Sequence, residues 1–316
     1  MTAQENTGRL APADQDQDQD QDWDWDYGGY RYGLEPLFLP SPADAARARP
    51  GQLPLVRSVG ERGTGPPPSE YRAGHSAPAP DLDVMDDVFW FRWITGHQVT
   101  FLLWHFMARA LRSGPAMREE PDETVVTALT CLVEGCNTML LYTGSCSPEA
   151  YGRFIRPAMY RQHHGFSGAW APDYAPVRRL FGVRPPQWVA AAEAKQFRSA
   201  LRANHAVHGA VAARLASGSE SLLQRFAPGM RAQERSVYGA LFDGFFLTTR
   251  RHVSDEELSD QLARRLRAVL FDVDRNRLHP VRVAAVPAES SVAVRECEQR
   301  FHSIVARLMP LPTVAV

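Results

Sequence analysis

His97 and His105 sit inside FRWITGHQVTFLLWHF, residues 91–106, a run otherwise built largely of aromatic and aliphatic side chains. Further along, NHAVHGAVAARLA sets His205 and His208 three residues apart among alanine, glycine and valine. An imidazole in an apolar helix can move a proton or hold a metal, and its neighbours decide which chemistry is open. No His-x-Asp or His-x-Glu occurs, which argues against a non-haem iron triad. H-E-x-x-H is missing, and His205 lacks the Glu-x-x-His spacing of di-iron bundles. Cys131, Cys136, Cys146 and Cys297 form neither C-x-x-C nor C-x-x-C-H, so a zinc knuckle, a dithiol pair and c-type haem attachment all lack support. None of the four has the glycine-rich frame of a thiolate haem ligand. What remains for iron is haem held by one histidine. The competing reading of each histidine is a core residue bonded to a carbonyl or carboxylate.

The elements that must carry these residues read as helices. A first helix over about Val84–Arg112, capped by Asp83, puts 97, 101, 104 and 108 on one stripe, because each residue turns about 100°. His97 then lies beside Phe101 and Trp104, and His105 is about 80° round from it. A second helix follows Pro121 and stops at Gly144. Ser147 caps a third, with Pro148 at its first position. HHGFSGAWAPDYAP is irregular, and VRRLFG makes a short turn. The longest later helix is expected over about Trp188–Ala216, and another over Arg231–Thr249. Ser254 and Glu257 form a capping box, and a last helix covers about Ser291–Leu308. The expectation is one all-α helical-bundle domain over residues 81–316. Residues 1–80 open with an acidic low-complexity tract and continue rich in proline. They are expected to be mostly disordered, at least to Asp26, with YRYGLEPLFLP as a docking arm.

A formal net charge of −1 leaves no electrostatic footprint for nucleic acid. The N-terminus has neither a basic nor an apolar signal region, and Arg92, His97, His105 and Arg109 interrupt the most hydrophobic stretch. No membrane partner is expected, and the expected location is cytoplasmic.

The block SPEAYGRFIRPAMYRQHHGFSGAWAPDYAPVRRLFG, residues 147–182, resembles the substrate-binding block of tryptophan 2,3-dioxygenases. Ser147-Pro148 matches the helix start, Tyr151-x-x-Phe154 the aromatic pair, Gly165-Phe166-Ser167 the Gly-Phe turn and Phe181-Gly182 the end. The arginine is displaced by about one residue, to Arg156. Arg202-x-x-His205 matches the context of the proximal histidine, and Arg214, six after His208, favours His208. Departures are the His164-Gly165-Phe166 and Ser167-Gly168 pairs, a shorter distance between the two histidines, and the missing Gly-Thr-Gly-Gly loop after residue 216. A short chain with this frame and without that loop is similar to the histidine-ligated haem-dependent aromatic hydroxylases, the bacterial L-tyrosine 3-hydroxylases of natural-product pathways. That resemblance implies a tryptophan 2,3-dioxygenase-like fold and haem b on His205, with His208 as the alternative ligand. It implies His97 as the distal proton-transfer group. Arg156, Phe166, Ser167 and Trp104 are then expected around the substrate. The substrates implied are L-tyrosine and hydrogen peroxide, or O2, and the product L-DOPA; a homodimer is the candidate assembly. Two alternatives stay open: an indole-ring dioxygenase on the same fold, and a non-enzymatic helical binding module.

Overall fold

The computed structural model describes residues 33–41, 82–112, 122–182, 184–215, 232–280 and 291–309. The disorder expected up to Asp26, and the dioxygenase loop position just after residue 216, lie outside these described residues.

The long first helix α1 (Leu82–Arg112) is the central post. It packs against α2 (Glu123–Thr143) on one side and α7 (Asp255–Asn276) on another. Close approach to α2 depends on two glycines. A Cβ on Gly96 would collide with Thr143, and one on Gly135 would lie 2.6 Å from Leu308. Helix α2 starts at Asp122, whose carboxylate accepts from Val125 N, and it ends at Gly144. It is long and apolar enough to cross a membrane, but most of that apolar surface is buried inside the protein.

Ser147 caps α3 (Pro148–Ala150), its hydroxyl accepting from Ala150 N. The chain then runs through a π-helix, Tyr151–Ile155, into α4 (Arg156–Gln162). Helix α5 (Lys195–Leu215) lies against α2 and is shorter than the expected Trp188–Ala216. Residues Gln187–Ala190 and Ala192–Ala194 form 3-10 turns instead. The reason is local: Arg198 donates to the carbonyls of Val189 and Ala191, two acceptors that a regular first turn would use.

Helix α6 (Ala232–Phe245) also ends before the expected Thr249. The chain turns at Leu247 (φ 52°) into a strand, β2 (Thr248–Arg250), which pairs in parallel with β1 (Leu37–Leu39). The C-terminal helix is divided at Arg300 into α8 (Ser291–Gln299) and α9 (Phe301–Leu308). The fold is all-α apart from this one strand pair.

Two buried arginines of α1 are paired with carboxylates. Arg92 is fully buried; it donates to Asp272 at 2.7 Å, and to Ser145 Oγ, Leu278 O and Arg277 O, each at 2.8 Å. Asp272 also accepts from Tyr142 at 2.8 Å and Asn276 at 2.7 Å. Arg109 holds Asp255 at the start of α7. Replacing Arg92 with methionine leaves Asp272 buried without its cation and is expected to cost about 3–5 kcal/mol, read as a fall in denaturation midpoint. A midpoint within error of the parent would mean that this network contributes no net stability.

Candidate functional site

His97 is one residue beyond the Gly96 contact, on the stripe that faces away from α2. Its Nδ1 lies 2.6 Å from the carbonyl of Trp93, one helical turn earlier. A carbonyl only accepts, so Nδ1 carries the proton and Nε2 keeps its lone pair. Among the described residues Nε2 has no partner. Burial pushes the imidazole down to about 4, the Trp93 bond opposing this only in part. The ring is therefore neutral at neutral pH, a base rather than an acid, which revises the near-neutral pKa of an unperturbed histidine.

Three rings enclose it. Phe246 is stacked on the imidazole at 4.6 Å and 24°, Trp93 is tilted against it at 4.6 Å, and Phe101 is edge-on at 6.3 Å. From each of these a row of contacts leads to another residue predicted from sequence. Trp93 packs on Tyr151 at 5.7 Å. Burial raises the Tyr151 phenol and the charge of Arg156 partly offsets this, so Arg156 lies within electrostatic reach of Tyr151. Arg156 is half-buried, and its guanidinium has no hydrogen-bond partner among the described residues. Phe246 leads to Phe166 at 6.2 Å, which is buried against Phe242, Phe245 and Trp170. Ser167, next to it, is buried and accepts from Ala169 N as the cap of a 3-10 turn, Gly168–Trp170.

The third row follows the stripe: Phe101 stacks on Trp104 at 5.8 Å, Trp104 meets Tyr174 at 4.9 Å, and Tyr174 meets Phe181 at 6.2 Å. The carbonyl of Phe181 is 3.1 Å from His205 Nε2. His205 and His208 both stand on the exposed part of α5. The His208 imidazole is lowered by desolvation first and by repulsion from His205 second. His105 is buried and touches Phe106, away from this row.

A π-helix leads into Arg156. Arg156 N–H donates to Tyr151 O, an i to i+5 bond, and this keeps the start of α4 close to Tyr151.

Sequence reasoning missed Trp93 and Phe246 as site residues. The i−4 spacing of Trp93 was a usable signal, since it sets a carbonyl beneath His97. Phe246 arrives from the far end of α6 and has no local signal. A cleft of about 380 Å³ between α2, α5, α8 and α9 is lined by Glu134, Asn137, Arg300 and Arg307 among others, and by none of the predicted site residues.

Two features fit a flat ligand such as haem b beside this wall. Trp93 Nε1 is buried without a partner, and His97 Nε2 is unspent, so both can serve a bound group. Trp104, Tyr174 and Phe181 keep part of their faces accessible between His97 and His205. No curated protein matches the chain. One family does, described as SfmD 3-methyl-L-tyrosine peroxygenase, over residues 41–200. The matched segment includes α1 with His97 and Trp104, the π-helix with Arg156 beyond it, and Phe166 and Ser167; it stops just before His205. With half of its length and nearly all of this aromatic wall covered, the chain belongs to the SfmD 3-methyl-L-tyrosine peroxygenase family.

Proposed function

We propose that the chain is a haem-dependent peroxygenase that hydroxylates the ring of L-tyrosine ortho to the phenol, giving L-DOPA, with hydrogen peroxide as oxidant. The observation that carries this reading is the His97 imidazole, neutral, anchored through Nδ1 and with Nε2 unspent, in a chain whose family is described as 3-methyl-L-tyrosine peroxygenase. Haem b, held by His205 or by His208 one turn on, supplies the activation of peroxide oxygen for insertion into the ring.

The chain's own residues then have separable tasks. His97 Nε2 accepts a proton from peroxide or from the substrate phenol and returns it later in the cycle. The Trp93 carbonyl keeps the ring in the one tautomer able to do so. Arg156 holds the amino acid carboxylate through a bidentate pair, since it has no competing hydrogen bond among the described residues. Phe166 and Trp104 bound the pocket with apolar faces, and Ser167 fixes the turn that carries Phe166. Phe246 and Phe101 shield part of the ring from water.

The purified protein is expected to show a Soret band and to convert L-tyrosine with peroxide into a product heavier by one oxygen, read by mass spectrometry. A colourless protein would overturn the haem reading. A product heavier by two oxygens from an indole substrate, with none from tyrosine, would favour ring-cleaving dioxygenation instead. Arg156→Ala is expected to keep the haem spectrum and raise KM for tyrosine by about 30-fold or more, the equivalent of losing one partner of a charged pair at about 2 kcal/mol or above. An unchanged KM would return Arg156 to an ordinary helix-surface residue.

A further inference from the structure

Gln98, the next residue after His97, is fully buried and spends both ends of its amide. Its Nε2 donates to Glu35 O at 3.0 Å and to Phe246 O at 2.9 Å, and its Oε1 accepts from Arg265 Nε at 2.9 Å. Arg265 donates in turn to Glu35 O at 3.1 Å and Pro36 O at 3.0 Å. One side-chain amide therefore joins the backbone of the N-terminal arm to the backbone of Phe246. The two are tied again one residue later, where Leu37 N donates to Leu247 O at 2.9 Å, and beyond that by the β1–β2 pairing. Gln261 holds Phe38 through both its N–H and its carbonyl, at 2.8 and 3.0 Å.

Leu247 is left-handed at φ 52°, a conformation that a leucine keeps only where its surroundings impose it. That turn directs Phe246 inward onto His97 before the chain leaves as β2. A pair of three-residue strands has no stability of its own, so the anchors hold it in place. Neither the arm at 35–39 nor Phe246 falls within residues 41–200 of the family match.

We infer that the arm is a positioning element of the reaction: through Gln98 and Leu247 it holds Phe246 flat against the His97 imidazole, and so fixes the direction of the unspent Nε2. The inference rests on the proposed role of His97. Phe246, Gln98 and Leu37 act through His97 rather than on the substrate.

The test uses the full-length chain with isotope-labelled histidine, as its diamagnetic ferrous carbonyl form where haem is bound. Histidine resonances are titrated with pH, and kcat and KM are measured alongside. Phe246→Leu keeps most of the bulk and loses the flat face. It is expected to raise the His97 midpoint by about one unit or more as water reaches the ring. It should also lower kcat about 10-fold with KM little changed. Phe246→Tyr keeps the face and should restore both values. Leu37→Pro removes the arm's N–H to Leu247 without touching His97, and should move the His97 midpoint in the same direction. Should Leu37→Pro not fold, Leu37→Ala takes its place: it keeps that N–H but removes the buried side chain that seats the arm, and should move the His97 midpoint in the same direction. An unchanged His97 midpoint in Phe246→Leu, or in the folded arm variant, overturns the proposal. If even the parent fails to hydroxylate tyrosine, the reaction is wrong, and the His97 titration still decides whether the arm controls that ring.

Discussion

Replacing His97 with alanine or phenylalanine is expected to leave the haem in place and to lower tyrosine hydroxylation by about 10²-fold or more, the range of a lost general acid–base group. The geometry explains why the loss should fall on the rate. Among the described residues the His97 side chain joins no ion pair, and its ring bonds only to the carbonyl of its own helix at Trp93. Removing it breaks no hydrogen bond between elements, so stability should fall only by the lost ring contacts with Phe246, Trp93 and Phe101.

The pH dependence has a sign that follows from burial. The folded-state value of His97, about 4, lies below the 6.5 of an unperturbed histidine, so the imidazole stays neutral until the medium is well below pH 6. Activity that requires the neutral ring should hold steady on acidification through 6.5 and fail only near 4. For the same reason the unfolded chain binds more protons between those values, and stability drains away as pH falls through that window. A rate profile breaking at 6.5 would mean a hydrated ring. Near-normal turnover per folded molecule in His97→Ala would make it a core histidine. His105→Ala is the control; loss of turnover there with a working His97→Ala would put the chemistry on the wrong face of α1.

The sequence was informative where chemistry is local. The stripe of 97, 101 and 104 needs only the helical period, and those three residues do form one wall. Ser147 with Pro148, and Ser254, cap their helices through bonds to residues three positions on, whereas Asp83, expected to cap α1, lies inside a helix that already starts at Leu82. What sequence could not supply depends on distant partners. The end of α6 is decided by an arm more than two hundred residues away, because Leu37 and Leu247 share a backbone bond. The expected helix through Thr249 had a sound local pattern and lost to that pairing. The 3-10 turns before α5 have a nearer cause, the Arg198 side chain folding back on Val189 and Ala191.

His205→Ala is expected to abolish or severely weaken haem binding while leaving the helical fold largely intact. The side chain is exposed on α5 and holds only the Phe181 carbonyl, so no core packing goes with it. That bond also bears on ligation. A metal-bound imidazole gives its other N–H to a carbonyl or carboxylate, and His205 already has one carbonyl within 3.1 Å of Nε2. His205 would then present Nδ1 to iron, or exchange the Phe181 bond for the metal and turn Nε2 outward. His208 has no hydrogen-bond partner among the described residues and a lowered pKa, both compatible with ligation. The optical spectra of the two alanine variants separate these cases. Loss of the Soret band in His205→Ala alone assigns the iron to His205, and loss in His208→Ala alone moves it one turn along α5. If neither variant changes the spectrum, haem is not held by this helix, and the row from His97 through Phe101, Trp104, Tyr174 and Phe181 is a packed wall rather than the side of a cofactor pocket.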